Sequence, residues 1–401
     1  MKIKRTIITI SLLLAAVFTL SANGSSESAS TGTSTGSAAS GTAAEQNLAN
    51  ALMSADDLFS NRDLRQSADL TDATYITVES GKDITITTAG VYVVSGSADN
   101  MSIIVEATSE DKVQIVLDGV TISNKDFPCI YVKQADKVFV TTTDSVNTLT
   151  DTGTFSADGS TNTDAVIFSK DDLTLNGIGT LYISSSDNGI SCKDDLCITG
   201  GTISISCKSD ALEAGDSIRI ADGDISISSK KDGLHAEDDD DDTTGFIYIC
   251  GGSLNISASD DGIHAITTVQ IDDGNITVSA REGIEATYVQ INGGTITINA
   301  SDDGINAGKK SKSLTPTIEI NGGYITIKMA SGDTDGIDSN GNLYITGGTI
   351  DVTCNSPFDY DGTGSYTGGT LIVNGVQTNT LTNQMMGGQG GMGGRGGFIR
   401  F

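Results

Sequence analysis

The chain has no tryptophan, three prolines and two histidines among its 401 residues, and 23 basic against 52 acidic side chains. Each shortage excludes something. Scarce proline and absent tryptophan, beside 48 glycines and abundant Ser, Thr, Asp and Ile, describe short strands joined by tight turns. A formal charge of −29 leaves no basic face for phosphate contacts, which argues against a nucleic-acid partner. The same charge favours divalent cations, or partners reached through cations. Beyond residue 24 no segment is long and apolar enough to span a membrane.

Residues 1–24 have the pattern of a secretory signal peptide: Lys2, Lys4 and Arg5, an apolar run over 7–20, then a small-residue exit at Ala22-Asn23-Gly24. Its removal leaves 20 Lys and Arg against 52 Asp and Glu, a net charge of −32. No cysteine follows the apolar run, which argues against a lipid anchor. The expected product is exported, extracellular or periplasmic. Six cysteines in such a protein suggest disulfides, but their positions in the repeat described below oppose that reading. Cys207 and Cys354 continue the inward phase of Ile203, Ile205, Ile350 and Val352, and Cys192 fills the slot of Ala214 and Ala236. Cys197 and Cys250 should face outward in different columns. With no pair at bridging range, free buried thiols are expected.

Residues 25–50 are expected to form a low-complexity linker. A short helix is expected over 46–59, with residues 51–72 capping the open end of the structure that follows. Residues 73–380 carry period-two alternation of Ile and Val, which predicts strands. Residues 381–401 are Gly-rich and cannot bury a core, so disorder is expected there.

Within the strand region the phrase Asp-Gly-Ile-x-Ala recurs. It stands at Asp232-Gly233-Leu234-His235-Ala236, Asp261-Gly262-Ile263-His264-Ala265, Glu282-Gly283-Ile284-Glu285-Ala286, Asp303-Gly304-Ile305-Asn306-Ala307 and Asp335-Gly336-Ile337-Asp338-Ser339. Degenerate forms begin at Asn188 and Asp210. Equivalent positions 189, 211, 233, 262, 283, 304 and 336 are separated by 22, 22, 29, 21, 21 and 32 residues. A period of 21–22 with two insertions predicts a solenoid. Residues 289–307 illustrate one coil: Val289-x-Ile291, a turn at Asn292-Gly293-Gly294, Ile296-x-Ile298, a second turn, then Ile305-x-Ala307. Three short strands per coil predict an all-β, parallel β-helix whose strands stack about 4.8 Å apart. The insertions, an acidic run at 237–242 and a basic one at 308–316, leave from the same corner. The acidic run is expected to be a solvated loop.

This register stacks Asp210, Asp232, Asp261, Glu282, Asp303 and Asp335 in one column, and Glu213, His235, His264, Glu285, Asn306 and Asp338 in a second. Carboxylates about 5 Å apart repel by roughly 3 kcal/mol per unscreened pair at an effective dielectric near 20. A lone Asp-Gly is ordinary turn chemistry. Six acidic residues at one stacked position favour Ca²⁺, which takes carboxylate, carbonyl and water oxygens. Candidate metal ligands are Asp194, Asp195, Asp210, Asp232, Asp261, Glu282, Asp303, Asp335 and Asp338. His235 and His264 would need one or two further ligands to hold zinc. They are read, with Glu285 and Asn306, as ligand-contacting groups beside the acids.

Several phrases resemble a bacterial secreted carbohydrate-binding β-helix family. They are Ser169-Lys170-Asp171-Asp172-Leu173, Cys192-Lys193-Asp194-Asp195-Leu196-Cys197-Ile198-Thr199-Gly200-Gly201, Ser301-Asp302-Asp303-Gly304-Ile305-Asn306-Ala307 and Asp335-Gly336-Ile337-Asp338-Ser339-Asn340-Gly341. Phe358-Asp359-Tyr360-Asp361-Gly362 belongs with them, as do Ala89-Gly90-Val91-Tyr92-Val93-Val94-Ser95-Gly96 and Val116-Leu117-Asp118-Gly119-Val120-Thr121-Ile122 in the amino-terminal half. The resemblance covers about residues 70–375. It implies a right-handed parallel β-helix similar in fold to calcium-dependent pectate lyases. It also implies binding of Ca²⁺ and of plant cell-wall polysaccharides, including cellulose and polygalacturonate. Lyase activity is not an established property of that family, and fold alone does not license it.

Three functions then compete. A calcium-bridged binding module explains how an anionic protein holds an anionic uronate polymer. Ten Tyr and ten Phe offer few platforms for stacking on sugar rings, which disfavours cellulose. A calcium-dependent lyase would need a Lys or Arg to remove a proton next to a carboxylate; the candidates are Lys231, Arg281 and Lys310. A purely structural or adhesin β-helix is the third.

Overall fold

The computed structural model describes residues 52–238, 241–332 and 334–383. The expected signal peptide, the whole linker and the Gly-rich tail from 384 onward lie outside the described residues. So do Asp239 and Asp240 of the acidic run.

Alternating Ile, Val and Thr, β-branched and unable to shed χ1 entropy cheaply in a helix, form strands nearly throughout. The strands assemble into a sheet of 20 and a sheet of 12. Every ladder between named strands is parallel except the last, where Thr370–Val373 meets Val376–Thr378 antiparallel. The fold is therefore all-β with parallel sheets and almost no helix, compatible with a β-solenoid. No helix among the described residues is long and apolar enough to cross a membrane.

In the 12-stranded sheet each strand pairs with the equivalent strand of the next repeat. The expected register is observed: Leu212 lies beside Leu234, Leu234 beside Ile263, Ile263 beside Ile284, Ile284 beside Ile305 and Ile305 beside Ile337. These side chains form one column of a continuous core, joined by columns from the larger sheet such as Ile276, Ile296, Ile325 and Ile350. Burying each such side chain contributes about 1.5–3 kcal/mol.

Three sequence expectations change. The first two strands of a coil are separate only in part of the molecule. Elsewhere they run together, as in Lys112–Asn124, Asp195–Ser206, Ser217–Ser228, Phe246–Ser257 and Thr268–Ala280. A positive-φ glycine, such as Gly201, Gly223, Gly252 or Gly274, bends these strands without breaking them, and the ladder shifts register there in some of the pairings. Gly252 and Gly294 take φ of +83° and +84°, which a side chain would oppose.

The amino-terminal helix is a single turn, Ala55–Leu58. It lies along the flank of the larger sheet and not over an open end. Met53 N–H donates to Gln270 Oε1 at 2.8 Å, Leu52 N–H to Gln290 Oε1 at 3.0 Å, and Arg219 Nη1 to the Leu58 carbonyl at 3.2 Å. This strap explains the third difference. Cys197 points away from the main core, as expected, yet is fully buried because Phe59 and Tyr248 cover it in a small second cluster that Cys250 adjoins. All six cysteines are free, and Cys192 occupies the alanine slot beside Ala214.

Candidate functional site

Both side-chain columns form on the 12-stranded sheet. Glu213 lies beside His235, His235 beside His264, His264 beside Glu285, Glu285 beside Asn306 and Asn306 beside Asp338. Asp359 continues this row beyond Asp338. In the other column Asp261 stands beside Glu282, and Asp303 beside Asp335.

The upper part of the acidic column is internally satisfied. Asn188 Oδ1 accepts the Asp210 N–H at 2.9 Å, Asp210 Oδ1 that of Asp232 at 2.8 Å, and Asp232 Oδ1 that of Asp261 at 2.9 Å. One oxygen of each residue thus ties its coil to the next, which is turn chemistry repeated coil by coil. The second oxygens meet Lys231 and the two imidazoles. Asp210 Oδ2 is 3.6 Å from Lys231 Nζ, Asp232 Oδ2 is 2.7 Å from His235 Nδ1, and Asp261 Oδ2 is 3.0 Å from His264 Nδ1. The two imidazoles stack, with ring centroids 4.9 Å apart and planes at 14°. Burial alone would lower the His235 pKa, but the hydrogen bond and charge of Asp232, helped by Asp210 and Glu237, lift it to about 9.

Arg281 closes this region. Its guanidinium reaches Asp260 at 2.5 Å, Asp302 at 2.6 Å, Glu282 at 2.7 Å and Asp261 at 3.3 Å. The Asp260 hydrogen bond and surrounding carboxylates hold it well above the usual arginine value. That is the reverse of what a proton-abstracting base needs. Lys310 Nζ sits 2.8 Å from Glu285 Oε2, and Lys231 faces Asp210. Each lyase candidate is therefore engaged with a carboxylate.

The lower part of the column is different. Burial first, then the charges of Asp338, Glu282, Asp302 and Asp335, push Asp303 up to about 7. Asp338 also rises to about 7, through burial and then Asp335, Asp359, Asp361 and Glu282. Asp335 Oδ1 and Asn306 Oδ1 are buried with no hydrogen-bond partner. Oxygen-only donors, crowded negative charge and orphaned oxygens fit a hard cation such as Ca²⁺.

Asp194 and Asp195 are not in this column. They follow the third strand, at another corner. Burial and then Asp216, Asp172, Asp171 and Asp195 raise Asp194 to about 7, whereas Asp195 is paired with Arg219 Nη2 at 2.5 Å. Residues that sequence reasoning passed over as site members are Asp359, Asp172 and Glu237. Asp359 lies 21 residues after Asp338, a spacing that could have found it. Asp172 needed the neighbouring coil, and Glu237 needed the fold of an insertion.

The two insertions also meet. Ser311 Oγ donates to the Asp242 carbonyl at 2.6 Å, and Lys312 Nζ lies 3.5 Å from Asp242 Oδ2. The acidic run, expected to be a solvated loop, is thus partly held by the basic one. Beside the column, a shallow groove is lined by Ala280, Arg281, Ala300, Lys328, Met329 and their neighbours.

Residues 80–336 match the family described as carbohydrate-binding domain-containing protein, and the chain belongs to that family. A relative with that same description, from Acetivibrio thermocellus, is 36% identical over 126 residues. That match covers 30% of this chain and 44% of the relative, so the chain spans less than half of the relative's length. A solved structure described as the polysaccharide lyase-like protein from C. thermocellum, gadolinium derivative, is 24% identical with a TM-score of 0.33, covering 75% of this chain and 96% of that one.

Proposed function

We propose that the protein is an exported, calcium-dependent carbohydrate-binding protein. Its coils form a right-handed parallel β-helix whose carboxylate column engages acidic, polygalacturonate-like polysaccharide. Family membership supports a polysaccharide partner, and the signal-peptide pattern of residues 1–24 supports export. The observation that carries the calcium reading is the uncompensated oxygen cluster of Asp303, Asp335 and Asp338, with Glu282 and Asp359 beside it. Calcium held there, with coordination left for substrate carboxylates, turns repulsion between two polyanions into attraction. Asp194 with Asp171 and Asp172 is the second calcium position. Asp210, Asp232 and Asp261 contribute mainly as the ladder that holds the coils in register. The groove gives a uronate chain one cation, Lys328, beside an Arg281 already engaged by four carboxylates.

Cellulose is the weaker ligand. Tyr182 and Tyr324 are half exposed, but they occupy different rows and stand six coils apart, about 29 Å at 4.8 Å per coil. They make no stacking strip.

Binding of the mature protein to polygalacturonate, in calcium and then in chelator, tests the proposal while the polymer is watched for unsaturated ends. Chelator-sensitive retention without new ends is expected. Retention that ignores the chelator, or no retention at all, overturns it. Unsaturated ends make the protein a lyase.

A further inference from the structure

We infer that His235 and His264 form a binding site for a divalent transition-metal ion of the zinc class, distinct in chemistry from the calcium positions. The repeat places the two histidines in equivalent slots of consecutive coils, and the parallel ladder brings their rings together. Zinc needs more than two imidazoles, and the acidic column supplies the rest. Ligand atoms of Asp232, His235 and His264 all lie within 4.8 Å of one another, and so do those of Asp261, His264 and Glu285. His264 Nδ1 is 3.0 Å from Asp261 Oδ2, 3.4 Å from Glu285 Oε2 and 3.9 Å from Asp232 Oδ2, while His235 Nδ1 is 2.7 Å from Asp232 Oδ2. Tetrahedral zinc with ligands at about 2.0–2.1 Å sets neighbouring donors about 3.3 Å apart. The observed separations bracket that value, so side-chain rotations of a few tenths of an ångström complete the shell. Asp232, His235 and His264 hold the ion.

The far side of one ring strengthens the assignment. His235 Nε2 lies 3.2 Å from Glu237 Oε2. A carboxylate behind the ring fixes which nitrogen faces the metal and raises its donor strength. Glu237 opens the acidic insertion, so that insertion acquires a role beyond adding charge. Two imidazole nitrogens beside a carboxylate oxygen select zinc, cobalt or nickel over calcium, which prefers oxygen alone. The column thereby divides by chemistry: imidazole-bearing coils for a borderline metal, the oxygen-only coils after them for a hard one.

The test adds Zn²⁺ to chelator-stripped full-length protein held in excess Ca²⁺. One equivalent should bind, and Co²⁺ in its place should give the intense visible absorption of a tetrahedral site. The chain has only two histidines, so their NMR signals are unambiguous. Both should shift with one equivalent of Zn²⁺ and neither with Ca²⁺. His235→Gln and His264→Gln should each weaken binding by more than the roughly tenfold expected of Glu237→Gln. Zinc that excess calcium displaces, that leaves the imidazole signals unmoved, or that binds the double histidine variant unchanged overturns the assignment. The NMR experiment decides the matter on the unmodified chain if a variant misfolds.

Discussion

Asp63 and Lys137 meet at 2.8 Å beneath the strap, with side chains only 3% and 11% exposed. Burial alone would raise the Asp63 pKa, but hydrogen bonds from Lys137, Ser60 and Thr174 and the Lys137 charge lower it to about 2. A carboxylate depressed in the folded state contributes stability above its unfolded value near 3.9. That contribution is lost as pH falls through about 2. Amide exchange over residues 60–66 should therefore stay slow at pH 5 and accelerate in strong acid. Asp63→Ala leaves Lys137 buried and unpaired, and should destabilise the protein by roughly 3 kcal/mol in urea unfolding. At the other site, Asp303→Asn with Asp338→Asn should stabilise the chelated protein by on the order of 1–3 kcal/mol, by removing repulsion. With calcium bound as proposed, the same pair should abolish most of the thermal stabilisation expected from it; a calcium response unchanged in the double variant would overturn that placement. The partners of Asp63 were not legible in the sequence. Asp63 finds Lys137 and Thr174 across long chain separations, whereas Asp303 and Asp338 reveal themselves by period alone.

Among the elements, the short strand carrying Asp-Gly-Ile-x-Ala shows why glycine holds its second position. A Cβ on Gly283 would run into the Gly304 carbonyl of the next coil and into Ile298 Cγ2 of the facing strand, well inside contact distance. Gly283→Ala should cost about 1–3 kcal/mol through this overpacking, read as a lower urea midpoint. Gly308→Ala is the control, because its nearest neighbours lie 3.5 Å and 3.6 Å away; it should be close to neutral. The sequence showed the recurrence of this glycine but not its cause, which is the approach of one coil's backbone to the next. The strap was misplaced for a related reason. Amphipathic residues around Phe59 indicate that the segment docks, but which surface receives it depends on Tyr248, Gln270 and Gln290 aligning on the outer face of the larger sheet. Removing residues 1–66 should expose Cys197 to thiol reagents while Cys129 and Cys192 in the main core stay protected.

For the molecule as a whole, the net charge of −29 spreads self-repulsion along its length. In chelator, raising monovalent salt should raise the melting temperature, because screening shortens the reach of that repulsion to about 10 Å at 0.1 M. Calcium at the same ionic strength should raise it further, since bound ions act where screening does not reach; equal effects would mean that calcium acts only as salt. The sequence by itself determined the strand period, the coil register, the inward Ile columns, the two outward columns and the free cysteines. All of these follow from a 21–22-residue repeat, in which each residue's neighbour is its own equivalent one coil away. Only the tertiary structure decided which carboxylates are already satisfied and which are left crowded. That depends on Arg281 and Lys310, whose reach across coils and out of an insertion has no period. It also depends on the strap and on the two insertions, which fold against surfaces that exist only once the coils have stacked.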